Sequence, residues 1–198
     1  MQLDTLRKLY VHQLQDLYSA EKQITRALPK LIRAATSDEL RAALADHLRV
    51  TEDQIRRLER IFRSLGASSK GKKCKGMEGL LEEGSELLEE KADPEVRDAG
   101  IIAAAQRVEH YEISGYGTAR AYAELLGDGD AARLLDTSAD EEGEADKILT
   151  RIAQSAVNLS AATGGLGEPT EPARRAARRR RPAARRRPRA AAAKRKKK

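Results

Sequence analysis

Apolar residues recur along this chain at intervals of three and four, the spacing that gathers them on one face of an α-helix. From residue 4 to about residue 35 the stripe is Leu6, Tyr10, Leu14, Leu17, Ile24, Leu28 and Leu31, with Asp4 suited to cap its start. Pro29 lies inside it and is expected to bend or interrupt the helix, because its ring clashes with the preceding turn. A second stripe of Leu40, Leu44, His47, Ile55, Leu58, Ile61 and Phe62 follows Ser37-Asp38-Glu39 and ends at Gly66. The serine is a cap, and the two acids complement the helix dipole. Residues 67–76 are small, polar and lysine-rich, a loop by composition, and residues 77–91 read as a short helix. Asp93-Pro94-Glu95 opens a third long helix that runs to Leu126, where Gly127 stops it. A fourth begins at residues 128–130 and continues through Leu134, Leu135, Leu149 and Ile152 to about residues 156–159. Two long-helix hairpins joined by a crossover predict an all-α four-helix bundle over residues 1–162, with the short helix in the crossover.

The stripes contain residues that a simple bundle would not place there. In the third long helix the inward face reads Ile102, Ala105, Glu109, Glu112, Tyr116, Ala119 and Ala123. The first helix turns Glu21 inward, the second His47, and the fourth Glu142 with Asp146 one turn on. Carboxylates are almost never fully buried unless they are paired or bind a metal. Each long helix thus offers an inward ligand, and converging carboxylates with an imidazole suit hard or borderline divalent ions. Bundles solve this with a di-iron or di-manganese site. Three observations weigh against that reading. A charge-rich helix readily sets an acid at the edge of its stripe, and a lone His47 also fits a hydrogen-bonded core. The usual Glu-x-x-His ligand motif is moreover missing from the second and fourth long helices.

Composition agrees with helices: 40% hydrophobic and 35% charged, but only 3% aromatic. Cys74 is the single cysteine, so no intrachain disulfide can form, which fits a reducing cytosol. Its lysine-rich surroundings would lower a thiol pKa, whereas a packed structural cysteine needs no such role. No stretch approaches the roughly 18 apolar residues that span a bilayer, and the opening residues lack the basic-then-apolar pattern of a signal peptide. The expected location is the cytoplasm.

Charge divides the chain in two. Arg174, Arg175, Arg178, Arg179, Arg180, Arg181, Arg185, Arg186, Arg187, Arg189, Lys194, Arg195, Lys196, Lys197 and Lys198 lie among prolines and alanines without a single acid. All 31 acids fall in residues 1–172, so a body of net charge −8 precedes a tail of +15, and the whole is +7. Gly164-Gly165-Leu166-Gly167 begins a linker, and residues 163–198 are expected to be a disordered basic tail. Its natural partner is DNA or RNA, held through phosphates with release of counterions. With no aromatics to stack on bases, contact should be sequence-independent; the competing role is docking on the acidic body. Without an apolar face, the tail does not suit a membrane.

Three segments resemble the YciE/YciF family of bacterial ferritin-like stress proteins over about residues 1–160. They are Leu17-Tyr18-Ser19-Ala20-Glu21-Lys22-Gln23, Cys74-Lys75-Gly76-Met77-Glu78-Gly79-Leu80 and Glu109-His110-Tyr111-Glu112-Ile113. The resemblance implies a ferritin-like bundle, a homodimer, and a dinuclear iron or manganese centre linked to stress, with peroxide breakdown as one suggested activity. It matches Glu21, Glu109, Glu112 and Glu142 to ligand positions, with His47 and Asp146 binding or supporting. Relatives of this kind carry His-x-x-Glu-Thr in the second helix, whereas this chain reads His47-Leu48-Arg49-Val50-Thr51. Val50 has no ligand atom, and Glu52 lies about 200° round the helix from it, so the second metal position is expected to be weak or empty. Tyr18, Tyr111 and Tyr116 are placed near the centre, as hydrogen-bond donors or as packing. His110 and Ser114 share a face but make no convincing nucleophile. Two functions follow from these readings. One is a peroxidase-, catalase- or ferroxidase-like metalloprotein tethered to nucleic acid and so associated with the nucleoid. The alternative is a non-enzymatic nucleoid-associated protein whose bundle dimerises and whose tails bind DNA.

Overall fold

The periodic stripes become helices at almost the expected boundaries in the computed structural model, which describes residues 3–164. The elements are α1 (Leu6–Ala34), α2 (Asp38–Leu65), α3 (Lys75–Glu89), α4 (Pro94–Leu125), α5 (Gly129–Ile152), a π-helical turn (Ala153–Val157) and α6 (Asn158–Thr163), with no strand among the described residues. The expected disorder of the tail, and its fifteen basic side chains, lie outside the described residues.

Local chemistry explains most ends. Ser37 Oγ accepts from the Leu40 N–H at 3.3 Å, and Asp128 Oδ1 from that of Ala131 at 3.0 Å. Gly66 (φ 60°) and Gly127 (φ 77°) take the left-handed conformation that stops α2 and α4. Two expectations need correction. Thr5, not Asp4, caps α1, its Oγ1 accepting from the Lys8 N–H at 3.2 Å, while Asp4 pairs with the Lys8 ammonium. Pro29 does not interrupt α1. It removes one backbone donor at a cost of about 3 kcal/mol, and the helix runs on through it with Ile24 and Leu28 buried on its inner face.

The α1–α2 and α4–α5 hairpins pack together, and α3 lies on α4 and α1. A π turn extends α5 and brings Ile152, Ala153 and Val157 all into the core. The core itself has two apolar halves. Tyr10, Leu14, Leu17, Leu58, Ile61 and Tyr116 belong to one half, and Ile24, Leu28, Leu44, Ile101, Leu149 and Ile152 to the other. Between them, each of the four long helices changes from apolar to polar at one level: Glu21 on α1, His47 to Gln54 on α2, Glu109 and Glu112 on α4, Ser138 and Glu142 on α5.

Two long-range clamps set the register of this layer. Buried Asp98 on α4 accepts from the Thr36 N–H at 2.8 Å, the Thr36 hydroxyl at 2.7 Å and the Ser37 N–H at 2.7 Å, tying down the α1–α2 turn. The second clamp joins the three segments that carry the family resemblance. Cys74 caps α3, its Sγ accepting from the Met77 N–H at 3.4 Å, and its own N–H donates to Ser19 Oγ at 2.9 Å. The same sulfur lies 2.9 Å from the Tyr111 hydroxyl and 3.2 Å from Asp16, to which Tyr111 donates at 2.5 Å. Burial pushes the Cys74 thiol pKa up, which favours the structural reading of this residue over activation by nearby lysines. The side chain is a packed structural one.

Candidate metal centre

Four side chains of the polar layer converge. His47, Glu109, Glu112 and Glu142 each present a ligand atom, and these atoms all lie within 4.8 Å of one another. His47 Nε2 is 3.4 Å from Glu109 Oε2 and 3.7 Å from Glu142 Oε2. Helix periodicity puts Glu109 and Glu112 one turn apart on the same face of α4, so both reach the centre from one helix. Glu21, from α1, joins the same layer beside Glu112 and accepts a hydrogen bond from the Tyr116 hydroxyl.

Supporting groups orient Glu142. Gln54 Nε2 donates to Glu142 Oε1 and lies 3.3 Å from Glu141 Oε2. Glu141 in turn accepts two hydrogen bonds from Arg57, at 2.6 and 2.5 Å, the bidentate geometry that fixes a carboxylate most firmly. Thr51, fully buried, donates its hydroxyl to the His47 carbonyl at 3.0 Å.

This arrangement needs positive charge. Glu21, Glu112 and Glu142 are wholly buried and Glu109 is 3% exposed. Burial, reinforced by the Glu142 charge and partly offset by the Tyr116 hydroxyl, pushes the Glu21 pKa up to about 8. Glu109 rises through burial and its contact with Glu142, and Glu112 through burial and the charges of Glu21 and Glu142. Unpaired, such groups hold protons instead of ionising. Moreover Glu21 Oε2, His47 Nε2, Glu109 Oε2, both oxygens of Glu112 and Glu142 Oε2 are buried without a hydrogen-bond partner. Buried polar atoms are nearly always satisfied, and the orphans of His47, Glu109, Glu112 and Glu142, which converge, form a donor set that could hold a cation. One imidazole with several carboxylates suits iron, manganese or zinc in the divalent state. The residues present fit a metal.

Asp146 stands apart from those four. Its Oδ1 accepts from Gln106 at 2.8 Å and lies 3.3 Å from His110 Nε2, on the α4–α5 seam. Val50 lines a cleft beside the centre and offers it no ligand atom. Of the tyrosines, only Tyr116 hydrogen-bonds a carboxylate of the layer; Tyr18 pairs with Glu59 at 3.0 Å and Tyr111 with Asp16. Sequence reasoning did not assign roles to Gln54, Thr51 or Arg57. The first two were detectable as polar residues at inward positions of α2, but their partners were not.

Fold and layer together define the class: an all-helical, ferritin-like bundle whose core carries a histidine–carboxylate cluster able to hold a metal ion. The family described as "Domain of unknown function (DUF892)" matches residues 5–162. Protein YciF of Escherichia coli K12 is 46% identical over 162 residues, which is 81% of this chain and 98% of that protein. The chain belongs to this YciF family of stress proteins. The crystal structure of the E. coli protein superposes with a TM-score of 0.76 at 46% identity, covering 79% of this chain and 99% of that one. YcfI of Rhodopseudomonas palustris gives 0.73 at 45% identity, over 76% and 97%. A Xanthomonas campestris protein at 19% identity gives 0.65 over 82% and 100%, a likeness of fold alone.

Proposed function

We propose that this protein is a metal-dependent stress protein that binds iron or manganese in its carboxylate layer and consumes peroxide or oxidises ferrous iron, held near nucleic acid by its basic tail. The observation that carries the reading is the set of unpartnered oxygens and one imidazole nitrogen meeting between two apolar half-cores. A bound redox-active divalent ion would supply the electron-transfer and Lewis-acid chemistry for either reaction. The chain's own groups do the rest. Glu109, Glu112 and Glu142 provide negative charge, and His47 a neutral nitrogen donor. Tyr116 orients Glu21, and Arg57 acts through Glu141 and Gln54 to orient Glu142. The apolar halves flank the layer on both sides and lower the local dielectric, which strengthens these electrostatic interactions.

Four donors serve one ion well. A second ion would depend on Glu21 and on shared use of Glu112 and Glu142, with nothing from Val50, so the dinuclear state is expected to be weak. That gap favours the second reading, a non-enzymatic nucleoid-associated protein that dimerises through its bundle and binds DNA through two tails. Metal analysis and peroxide assays on protein purified without chelator separate the two. About one iron or manganese per chain with peroxide or ferrous-ion turnover is the expected result; neither metal nor turnover after reconstitution would refute the enzymatic function. For the tail, deletion after Gly167 should abolish DNA retardation at low salt, and unchanged retardation would refute the assignment.

A further inference from the structure

A cleft of about 530 Å³ runs between α2 and α5 and reaches inward to the carboxylate layer. That volume lies within the roughly 300–1,000 Å³ of small-molecule sites. Leu44 and Val50 form one wall; Ala145, Ile148 and Ile152 form the other. At the inner end are His47 Nε2 and Glu109 Oε2, buried and without hydrogen-bond partners. Glu39, Asp46 and Glu144 outnumber Arg151 around the mouth. An anion entering here would meet negative charge at the mouth. A strongly hydrated cation would have to shed water against apolar walls. What fits is a neutral molecule with an apolar body and one terminal oxygen, the body matched to the walls and the oxygen to the two orphaned polar atoms.

We propose that the α2–α5 cleft is a binding site for neutral amphiphiles, and that organic hydroperoxides are the substrate class it admits. Cleaving the O–O bond to alcohol and water takes up two protons and two electrons, the electrons coming from two ferrous ions, which become ferric. In the metal-free protein the terminal oxygen takes the place an ion would have beside His47 and Glu109, and with an ion held there it would face that ion; in both states the apolar body lies along Val50, Ala145, Ile148 and Ile152. Only the hydroperoxide part rests on the peroxide-consuming function; amphiphile binding is a separate property and is measured separately.

The experiment uses the full chain, metal-free, with ¹³C-labelled isoleucine methyls, titrated with 1-octanol. Ile148 and Ile152 should shift saturably while Ile61 and Ile101, in the two half-cores, stay in place. Octanoate should bind at least about tenfold more weakly, and Ala145→Phe should weaken octanol by at least about tenfold. Val50→Phe, filling the cleft from the other wall, should give the same loss, and unmoved Ile61 and Ile101 signals report that each variant is folded. Cumene hydroperoxide should displace octanol. No saturable shift at Ile148 and Ile152, equal binding of octanoate, or no competition by cumene hydroperoxide would overturn the proposal. So would movement of these two methyls with protein concentration alone, which would mean that a second copy fills the cleft. Absent turnover of hydrogen peroxide with these shifts retained would remove the peroxide function and leave the cleft; retained turnover without the shifts would do the reverse.

Discussion

At the scale of single residues, the energetics of this protein centre on carboxyls that burial has made reluctant to ionise. Burial and the Glu142 charge push the Glu21 pKa up to about 8, and burial with neighbouring carboxylates raises Glu109 and Glu112 as well. Unfolded, each would titrate at its ordinary value near 4.5. Between those values the folded state holds protons that the unfolded chain has released, so stability falls as pH rises through this window. Metal-free protein should therefore lose several degrees of Tm between about pH 5 and pH 8, and Glu112→Gln should flatten the slope. A flat Tm profile for the metal-free wild type would contradict this. Because a bound dication displaces those protons, metal should raise Tm more at pH 8 than at pH 5. Val50 offers a second residue-scale test. Val50→Glu would place a carboxylate beside His47 and Glu109 in the cleft wall, and metal content should rise from about one toward two per chain. Unchanged stoichiometry would show that the valine is not what limits the second position.

At the scale of elements, two clamps hold the four polar steps level. Asp98→Ala would leave three hydrogen-bond donors of the α1–α2 turn without their acceptor. The expected loss is about 3 kcal/mol, read as a lower midpoint in urea unfolding. Gly76 is the matching point in the crossover: a Cβ there would come within 2.7 Å of the Tyr111 ring. Gly76→Ala should cost about 1–3 kcal/mol through that crowding. It should also speed reaction of the Cys74 thiol with a disulfide reagent, since Tyr111, Asp16 and burial enclose that thiol in the wild type. The helices themselves were readable from sequence, α2 and α4 to within a residue, because caps, Pro94, Gly66 and Gly127 act locally. The cap of α1 and the course of its chain through Pro29 were not. Neighbouring candidates compete for a cap, and packing along a whole helix can absorb one lost donor.

At the scale of the whole molecule, an acidic body precedes a basic segment of +15, and the DNA binding proposed for the segment should respond to salt differently from the metal binding proposed for the body. Tail binding to DNA should weaken steeply as salt rises, with the logarithm of the affinity falling linearly. Metal content of the buried layer should not change over the same range. The chain by itself determined the four helices, their apolar stripes and the inward positions of Glu21, His47, Glu109, Glu112 and Glu142. A period of 3.6 residues converts sequence spacing directly into a helix face. Only the tertiary structure decided which of these atoms meet. Gln54 finds Glu142, Tyr116 finds Glu21 and Asp98 finds Thr36 across 88, 95 and 62 residues of chain. Such pairings depend on how far each helix slides along its neighbours, a quantity set by packing and clamps between elements and carried by no local pattern.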